Sequence, residues 1–287
     1  MTRIYDLHSH STASDGTLEP AELVRRAARQ GVEVLALTDH DTTDGVAEAA
    51  TAARDEGIEL VPALEVSVTW RKGTVHIVAL HIDPQDTALQ QGLARLREFR
   101  LWRGEEIGRR LHKAGIDGAL EGARAYADGP SLSRTHFARF LVDNGFAKDM
   151  GQAFRRYLGQ GKPGHVPGDW ATLEEAVGWI TGAGGQAVVA HPARYKLTRT
   201  KLGELLEAFK ECGGIGLEVV SSSHNREERA AMARLAEKFG LYGSVGSDFH
   251  TPGNPYVELG RHLDLPTGCA PIWETWDAPD TAAGGMV

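Results

Sequence analysis

The sequence predicts an α/β fold, a closed or nearly closed barrel of seven strands interrupted by a helical insertion. Three observations predict it. Seven short apolar runs alternate, for the most part, with amphipathic helices, as in a parallel sheet covered by helices. Between about residues 85 and 165 the alternation stops, and helices occur without a convincing strand. No Gly-x-Gly-x-x-Gly loop follows any strand, so the alternative, a doubly wound open sheet with a dinucleotide site, lacks its usual signature.

The first apolar run, Ile4 to Leu7, leads straight into Asp6-Leu7-His8-Ser9-His10. A helix from about Pro20 to Gln30 follows, with Leu23, Val24, Ala27 and Ala28 on one face and Gly31 as its stop. The strand Val32 to Thr38 ends in Asp39-His40-Asp41. An Ala-rich helix, Val46 to Glu56, stops at Gly57. The run Ile58 to Val61 leads into Pro62-Ala63-Leu64-Glu65, and Thr74 to Leu80 carries His76 inside and His81 after it. In the insertion, Leu89, Leu93, Leu96, Ile107 and Leu111 mark one long helix ending near Gly115. Phe137, Phe140 and Leu141 mark a second, from Ser133 to Gly145. The glycines and prolines of Gly159 to Gly168 read as the return linker.

Alternation then resumes. Thr172 and Glu175 have capping-box spacing before a helix ending near Gly182, and the strand Ala187 to Ala190 ends in His191-Pro192. A helix around Lys201 to Cys212 precedes the strand Ile215 to Val220, which runs into Ser221-Ser222-Ser223-His224. Asn225 and Glu228 repeat the cap spacing before a helix that ends at Gly240. The last strand, Leu241 to Val245, finishes in Gly246-Ser247-Asp248-Phe249-His250. The expected organisation is a discontinuous barrel of residues 1–84 and 166–272, an insertion of residues 85–165, and a tail of residues 273–287, poorly ordered at its Gly-Gly end.

Composition narrows the function classes. The 287 residues carry 31 Lys plus Arg against 39 Asp plus Glu, a formal net charge of −8, which argues against wide binding to duplex nucleic acid or anionic membrane. The two cysteines, Cys212 and Cys269, exclude a disulfide framework or a thiolate metal cluster and suggest a reducing compartment. No run approaches the ~18 apolar residues of a membrane span, and nothing resembles a signal peptide. A cytoplasmic enzyme without a membrane partner is expected; its oligomeric state is not legible.

The chemistry lies in where the ligand-type residues stand. His8, His10, Asp15, His40, Glu65, His76, His191, Asp248 and His250 sit in or just after the strands. In an α/β barrel the carboxyl ends of parallel strands converge on one face, so distant residues share one site. His8 and His10 are two apart on a strand and point to one side, and Asp248 and His250 repeat that spacing. Asp6 lies on the same side, placed to orient a ring. Imidazole and carboxylate without thiolate suit manganese, iron or zinc. Nine candidates exceed the need of one ion; two or three ions sharing Glu65 as a bridge fit better. Any single histidine is better explained as a hydrogen-bonded core or surface residue, and His112 and His262 are expected to be so; His81 is expected either behind the ligands or in a structural role. Nine such residues at strand ends are not.

Together, Asp6-Leu7-His8-Ser9-His10 with Asp15-Gly16, Thr38-Asp39-His40, Glu65, His76, Ala190-His191-Pro192 and Ser247-Asp248-Phe249-His250 resemble the PHP (polymerase and histidinol phosphatase) family. The likeness runs in order over about residues 4–251, leaving out the insertion. It implies a distorted seven-stranded β/α barrel that holds three divalent ions, most simply manganese with iron or zinc as alternatives, and hydrolyses phosphate esters. Carried over by position, it implies one ion on His8, His10, Glu65 and Asp248, a second on Glu65, His76 and His191, and a third on Asp15, His40 and His250. Asp15 stands where many relatives have His. Asp6 and Asp39 are expected behind these ligands.

The segments Ser131-Leu132-Ser133-Arg134-Thr135-His136-Phe137, Lys162-Pro163-Gly164 and Ser221-Ser222-Ser223-His224 resemble the branch of that family acting on 3′,5′-nucleoside bisphosphates, whose members also trim short RNA from a 5′-phosphorylated end. The charge of the insertion agrees: residues 85–165 hold 11 Arg and 3 Lys against 9 acids, a net of +5, leaving −13 elsewhere. Arg suits bidentate phosphate contacts. Arg100, Arg103, Arg134 and Arg194 are therefore expected to grip the phosphate that is not cleaved, with Thr135 and His224 beside them, whereas Arg97 and Arg110 read as a solvated helix face.

The expected reaction is hydrolysis of a phosphate ester by a hydroxide bridging two metals and attacking phosphorus in line, with no side chain assigned as general acid. On 3′-phosphoadenosine 5′-phosphate it gives AMP and phosphate; on short 5′-phosphorylated RNA it releases a nucleoside 5′-monophosphate. A phosphatase of a non-nucleotide metabolite such as histidinol phosphate, and a metal-stabilised module without turnover, are the rivals.

Overall fold

The structure, a computed structural model, describes residues 3–127, 129 and 131–276. In chain order its elements begin β1 (Tyr5–Asp6), α1 (Pro20–Arg29), β2 (Val34–Leu37), α2 (Val46–Glu56), β3 (Glu59–Trp70) and β4 (Gly73–Leu80). The insertion supplies α3 (Thr87–Lys113), α4 (Ala119–Arg124), α5 (Arg134–Asp143) and α6 (Met150–Ala153), which runs into a wider π turn at Phe154–Leu158. There follow α7 (Leu173–Gly182), β5 (Gln186–Val189), α8 (Arg199–Glu211), β6 (Gly216–Ser221), α9 (Arg226–Phe239) and β7 (Tyr242–Gly246). Among the described residues no helix is long and apolar enough to cross a membrane.

The seven strands form one sheet in the order β1 to β7. Its ends meet: the Leu7 N–H donates to the Val245 carbonyl at 3.0 Å, Asp248 N–H to His8 at 2.8 Å and His10 N–H to Phe249 at 2.9 Å. The fold is thus the nearly closed barrel expected, with one departure. β4 runs antiparallel to both β3 and β5, so the sheet is mixed rather than parallel. The cause is local. β3 does not stop at Val61 but continues to Trp70, and only Arg71 and Lys72 separate the Trp70–Gly73 pair. A two-residue connection can join only antiparallel strands. Arg71 makes the turn at φ +55°.

Alternate strand residues Val34, Ala36, Val61, Ala63, Val78, Leu80, Val188 and Ala190 face inward and form the barrel interior with Leu7 and Ile272. Ile272 belongs to the turn Ile272–Thr275, and Trp273 stacks on Tyr5 with centroids 4.1 Å apart, so residues 272–276 pack against the barrel. The Gly-Gly end of the expected tail lies outside the described residues.

The other strand face packs under α7, α8 and α9. The first half of α3, through Leu89, Leu93 and Leu96, joins this barrel cluster, whereas Ile107 and Leu111 in its second half pack with Phe137, Leu141, Ala153 and Leu158 of the insertion. The junction between the two bodies therefore lies within a continuous helix. α3 reaches from the barrel flank up and over its mouth.

Candidate metal centre

The inward row of the barrel changes chemistry as it climbs. Val61 and Ala63 on β3 give way to Glu65, and Leu80 and Val78 on the reversed β4 give way to His76. His76 therefore enters from the early half of its strand, not from the carboxyl end that the parallel-barrel argument assumes. His8 and His10 follow β1, His40 follows β2, His191 follows β5, and Asp248 and His250 follow β7. Asp15 comes from the loop before α1. Gly246 keeps β7 close to β1: a Cβ there would meet the His8 Cβ at 2.2 Å, so only glycine permits the approach.

These nine side chains converge. His8 Nε2 and His10 Nε2 each lie 3.4 Å from Glu65 Oε2, and they lie 3.6 Å and 3.4 Å from Asp248 Oδ1. Ligand bonds of about 2.1 Å in a tetrahedral shell leave neighbouring donors about 3.4 Å apart, the spacing found here. The other Glu65 oxygen lies 2.9 Å from His76 Nδ1 and 3.0 Å from His191 Nε2. Asp15 Oδ1 faces His250 Nε2 at 3.3 Å and His40 Nε2 at 3.9 Å. Four overlapping groups have ligand spacing: His8, His10 and Asp248; His8, Glu65 and His191; His40, Glu65 and His76; and His10, Asp15, His40 and His250. His8 Nε2, His10 Nε2, Asp15 Oδ1 and Glu65 Oε2 are four of the buried atoms here that have no hydrogen-bond partner among the described residues. Buried polar atoms are rarely left so, and divalent ions would satisfy all four. The donor set therefore fits oxygen- and nitrogen-ligated metal, with Glu65 central.

Electrostatics keeps most of the set in ligand form. Burial raises the acids, but the imidazoles of His76, His40 and His8 outweigh it and hold Glu65 well below the usual carboxylate range. His250 and His40 do the same for Asp15, and Arg194 with His10 for Asp248. Burial takes His10 down to about 3 and His76 to about 4. His8, His40 and His250 go the other way: burial opposes their charge, but Glu218 lifts His8 well above the usual value, Glu65 raises His40 and Asp15 lifts His250 to about 9. Backbone strain gathers here too, with Asp41 and Asp248 at φ +54° and His191 at φ +27°.

The insertion roofs this mouth. Ser133, which caps α5, donates through Oγ to Asp15 Oδ2 at 2.9 Å, and Arg139 donates to the Asp15 carbonyl at 2.7 Å. Between roof and barrel lies a cleft of about 750 Å³ reaching from Glu65, His76, His191 and Asp248 to the hairpin tip at Arg71 and Lys72. Arg103, Arg134, Thr135 and Arg194 line it, as do Phe154, His165 and Trp170, which the sequence reading passed over. Burial, then the neighbouring Arg134 and Arg100, bring Arg103 down to about 9, a cationic wall that favours an anionic occupant. Arg194 is already paired with Asp248.

Several expected residues do other work. Arg100 touches the cleft wall, but its guanidinium is committed to Asp41 and Ser67. His224 is not in the cleft: its Nδ1–H donates to the Val219 carbonyl and its Nε2 accepts from Ala193 N–H, bracing the Pro192–Tyr195 turn. Asp6 orients no ring. It accepts from the backbone N–H of Ser247 at 2.8 Å and Gly260 at 3.0 Å, and burial pushes it up to about 6. Asp39 likewise holds the loop after β1, accepting from Ser11 and Ser14. Arg97, read as solvated, lines a second cavity of about 410 Å³ between the loops before α1 and α2 and the insertion. His112 stays exposed, paired with Asp117.

Glu218 on β6 was missed altogether. Its only signal was a lone acid within an otherwise apolar strand, and nothing local shows what it meets.

Comparison with known proteins places this geometry. The PHP domain profile matches residues 6–121. A 3′,5′-nucleoside bisphosphate phosphatase of Chromobacterium violaceum is 52% identical over 274 residues, covering 95% of this chain and 96% of its own. A 5′-3′ exoribonuclease of Haemophilus influenzae is 49% identical, covering 96% of this chain and 99% of its own. Among solved structures, an amidohydrolase from Chromobacterium violaceum with bound sulfate superposes with a TM-score of 0.92 at 51% identity over 95% of either chain.

Proposed function

The chain belongs to the PHP family, and from that premise we propose that it is a phosphoesterase that hydrolyses 3′,5′-nucleoside bisphosphates and trims short 5′-phosphorylated RNA from its 5′ end. The observation that carries the reading is the cleft itself, which has imidazole and carboxylate donors on its floor and the Arg134 guanidinium on its roof, beside an Arg103 that is held by the Val166 carbonyl. A substrate with two phosphates, one to be cleaved and one to be held, suits that division. Water adds across the ester P–O bond, giving nucleoside 5′-monophosphate and phosphate, or a shortened RNA.

In this proposal His8, His10, Glu65 and Asp248 hold one divalent ion, Glu65, His76 and His191 a second, and Asp15, His40 and His250 a third, with manganese the first candidate. Such ions, when bound, supply Lewis-acid charge neutralisation and a nucleophile at neutral pH. The chain's own residues bind and orient. Arg134, at the first turn of α5, has Arg100 and Arg194 as its charged neighbours and Phe154 beneath it at 5.6 Å, which leaves its guanidinium for a phosphate. Thr135, Arg103 and Lys72 line the same wall. Trp170 presents an aromatic surface there, held by Arg100 and Arg103 at 4.9 and 5.3 Å. The occupant is a nucleotide or an RNA 5′ end rather than a long duplex, because the chain as a whole carries a net charge of −8. A cytoplasmic setting accords with the two free cysteines.

The test is a substrate panel with manganese-loaded and chelator-treated protein. We expect turnover of 3′-phosphoadenosine 5′-phosphate and of short 5′-phosphorylated RNA, lost on chelation and restored by manganese. Turnover of histidinol phosphate alone would overturn the nucleotide reading. No turnover of any phosphate ester with metal bound would overturn the enzyme.

A further inference from the structure

Glu218 lies in the inward row of β6, only 2% exposed, and stands directly behind the candidate ligands. Its Oε2 accepts two hydrogen bonds, one from His8 Nδ1–H at 2.9 Å and one from the His191 backbone N–H at 2.9 Å. These partners come from opposite sides of the barrel, after β1 and after β5, and their rings face each other with centroids 5.6 Å apart. Both rings then aim Nε2 at Glu65, at 3.4 Å for His8 and 3.0 Å for His191.

Each bond has a distinct consequence. A carboxylate can only accept, so the bond to His8 places the ring proton on Nδ1 and leaves the Nε2 lone pair free for a metal. A carboxylate partner also raises the basicity of the ligand nitrogen. The bond to His191 holds a residue at φ +27°, ψ 55°, a conformation that non-glycine residues seldom adopt and that persists only when neighbours enforce it. Tyr195, whose Oη donates to the Ala190 carbonyl at 2.7 Å, fixes the other end of the same turn.

We propose that Glu218 is a positioning residue that sets metal affinity at two of the candidate ion positions at once, by fixing the tautomer of His8 and the backbone of His191. The proposal rests on the reading of the cluster as a metal centre. It goes beyond that reading by assigning part of the affinity to a residue that contacts neither metal nor substrate.

The test is zinc and manganese binding to the full chain by chelator competition, with the melting temperature of the metal-free protein as a control. Glu218→Gln keeps the shape but carries no charge, and its amide can donate as well as accept, so it no longer dictates the His8 tautomer. We expect it to bind metal about 10- to 100-fold more weakly than the parent, with the metal-free melting temperature within a few degrees and KM for substrate at saturating metal little changed. Glu218→Asp, which keeps the charge but withdraws it by one methylene, is expected to fall between. In the zinc-loaded parent, imidazole ¹⁵N spectra should show His8 protonated at Nδ1, a reading that needs no variant. Parent-like affinity in Glu218→Gln, or His8 protonated at Nε2, overturns the proposal. A parent protein that binds no metal overturns instead the metal-centre reading on which it rests.

Discussion

Arg100 on α3 donates through Nε to Asp41 Oδ2 at 2.6 Å, and the two groups are almost wholly buried. Asp41 follows His40, its N–H donates to the Glu65 carbonyl at 2.9 Å, and its Oδ1 accepts from Ser67 N–H at 2.7 Å. One ion pair thus ties the insertion's long helix to the backbone that carries two candidate ligands. The arginine that sequence reasoning offered to substrate is spent on holding the roof over the floor.

Removing one partner of such a pair strands the other charge. Arg100→Ala is therefore expected to destabilise the protein by about 3–5 kcal/mol, read as a lower denaturant midpoint. A loss under about 1 kcal/mol, the worth of an exposed pair, would show that the pair does not clamp the insertion.

Arg134 should behave in the opposite way. Its loss removes a charge-assisted contact worth about 1.5–3 kcal/mol, so Arg134→Ala should raise KM for a 3′,5′-bisphosphate about tenfold or more. A nucleoside 3′-monophosphate, which lacks the held phosphate, should be affected much less. An equal effect on the two substrates would remove Arg134 from the phosphate wall.

His191 and His112 provide a paired comparison within one residue type. His191→Ala deletes a ring 3.0 Å from Glu65 and is expected to cost at least about 100-fold in kcat/KM, roughly 2.7 kcal/mol of transition-state stabilisation. His112→Ala touches only an exposed pair with Asp117 and should leave activity unchanged. Equal activity of the two variants would refute the assignment of His191.

Glu175 carries a pH dependence away from the centre. Its hydrogen bond from Arg95, then that from the Thr172 N–H, brings it down to about 2 from an ordinary 4.5. A lowered carboxylate stabilises the fold fully above about pH 4.5, and the contribution is lost as pH falls toward about 2. Because the side chain is 38% exposed, screening leaves about 1 kcal/mol at most. The stability difference between the parent and Glu175→Gln should therefore be present at pH 6 and shrink on acidification. A difference that stays constant down to pH 3 would locate the effect elsewhere.

Local pattern carried much of the fold. α2 begins and ends where the Ala-rich run and Gly57 place it, and the Thr172–Glu175 and Asn225–Glu228 capping boxes start α7 and α9 as expected. Each capping box spans four residues, and one turn of helix reads it. The reversal of β4 was less legible. Trp70-Arg71-Lys72-Gly73 lacks the usual Asn-Gly or Asp-Gly turn pair, and a positive φ at Arg71 is not written in its residue type. The short helices α4 and α6 were missed because six and four residues carry too little periodicity to stand out.

By itself, then, the sequence determined the kinds of candidate ligand and their order along the chain, because side-chain chemistry and strand period are local properties. Only the tertiary structure decided which partners meet. It turned Arg100 toward Asp41, left Arg134 facing the cleft, moved His224 behind the Pro192–Tyr195 turn and brought Glu218 against His8 across 210 positions of chain. Those outcomes depend on barrel closure and on how far α3 reaches over the mouth. Packing sets both, and no short stretch of sequence contains them.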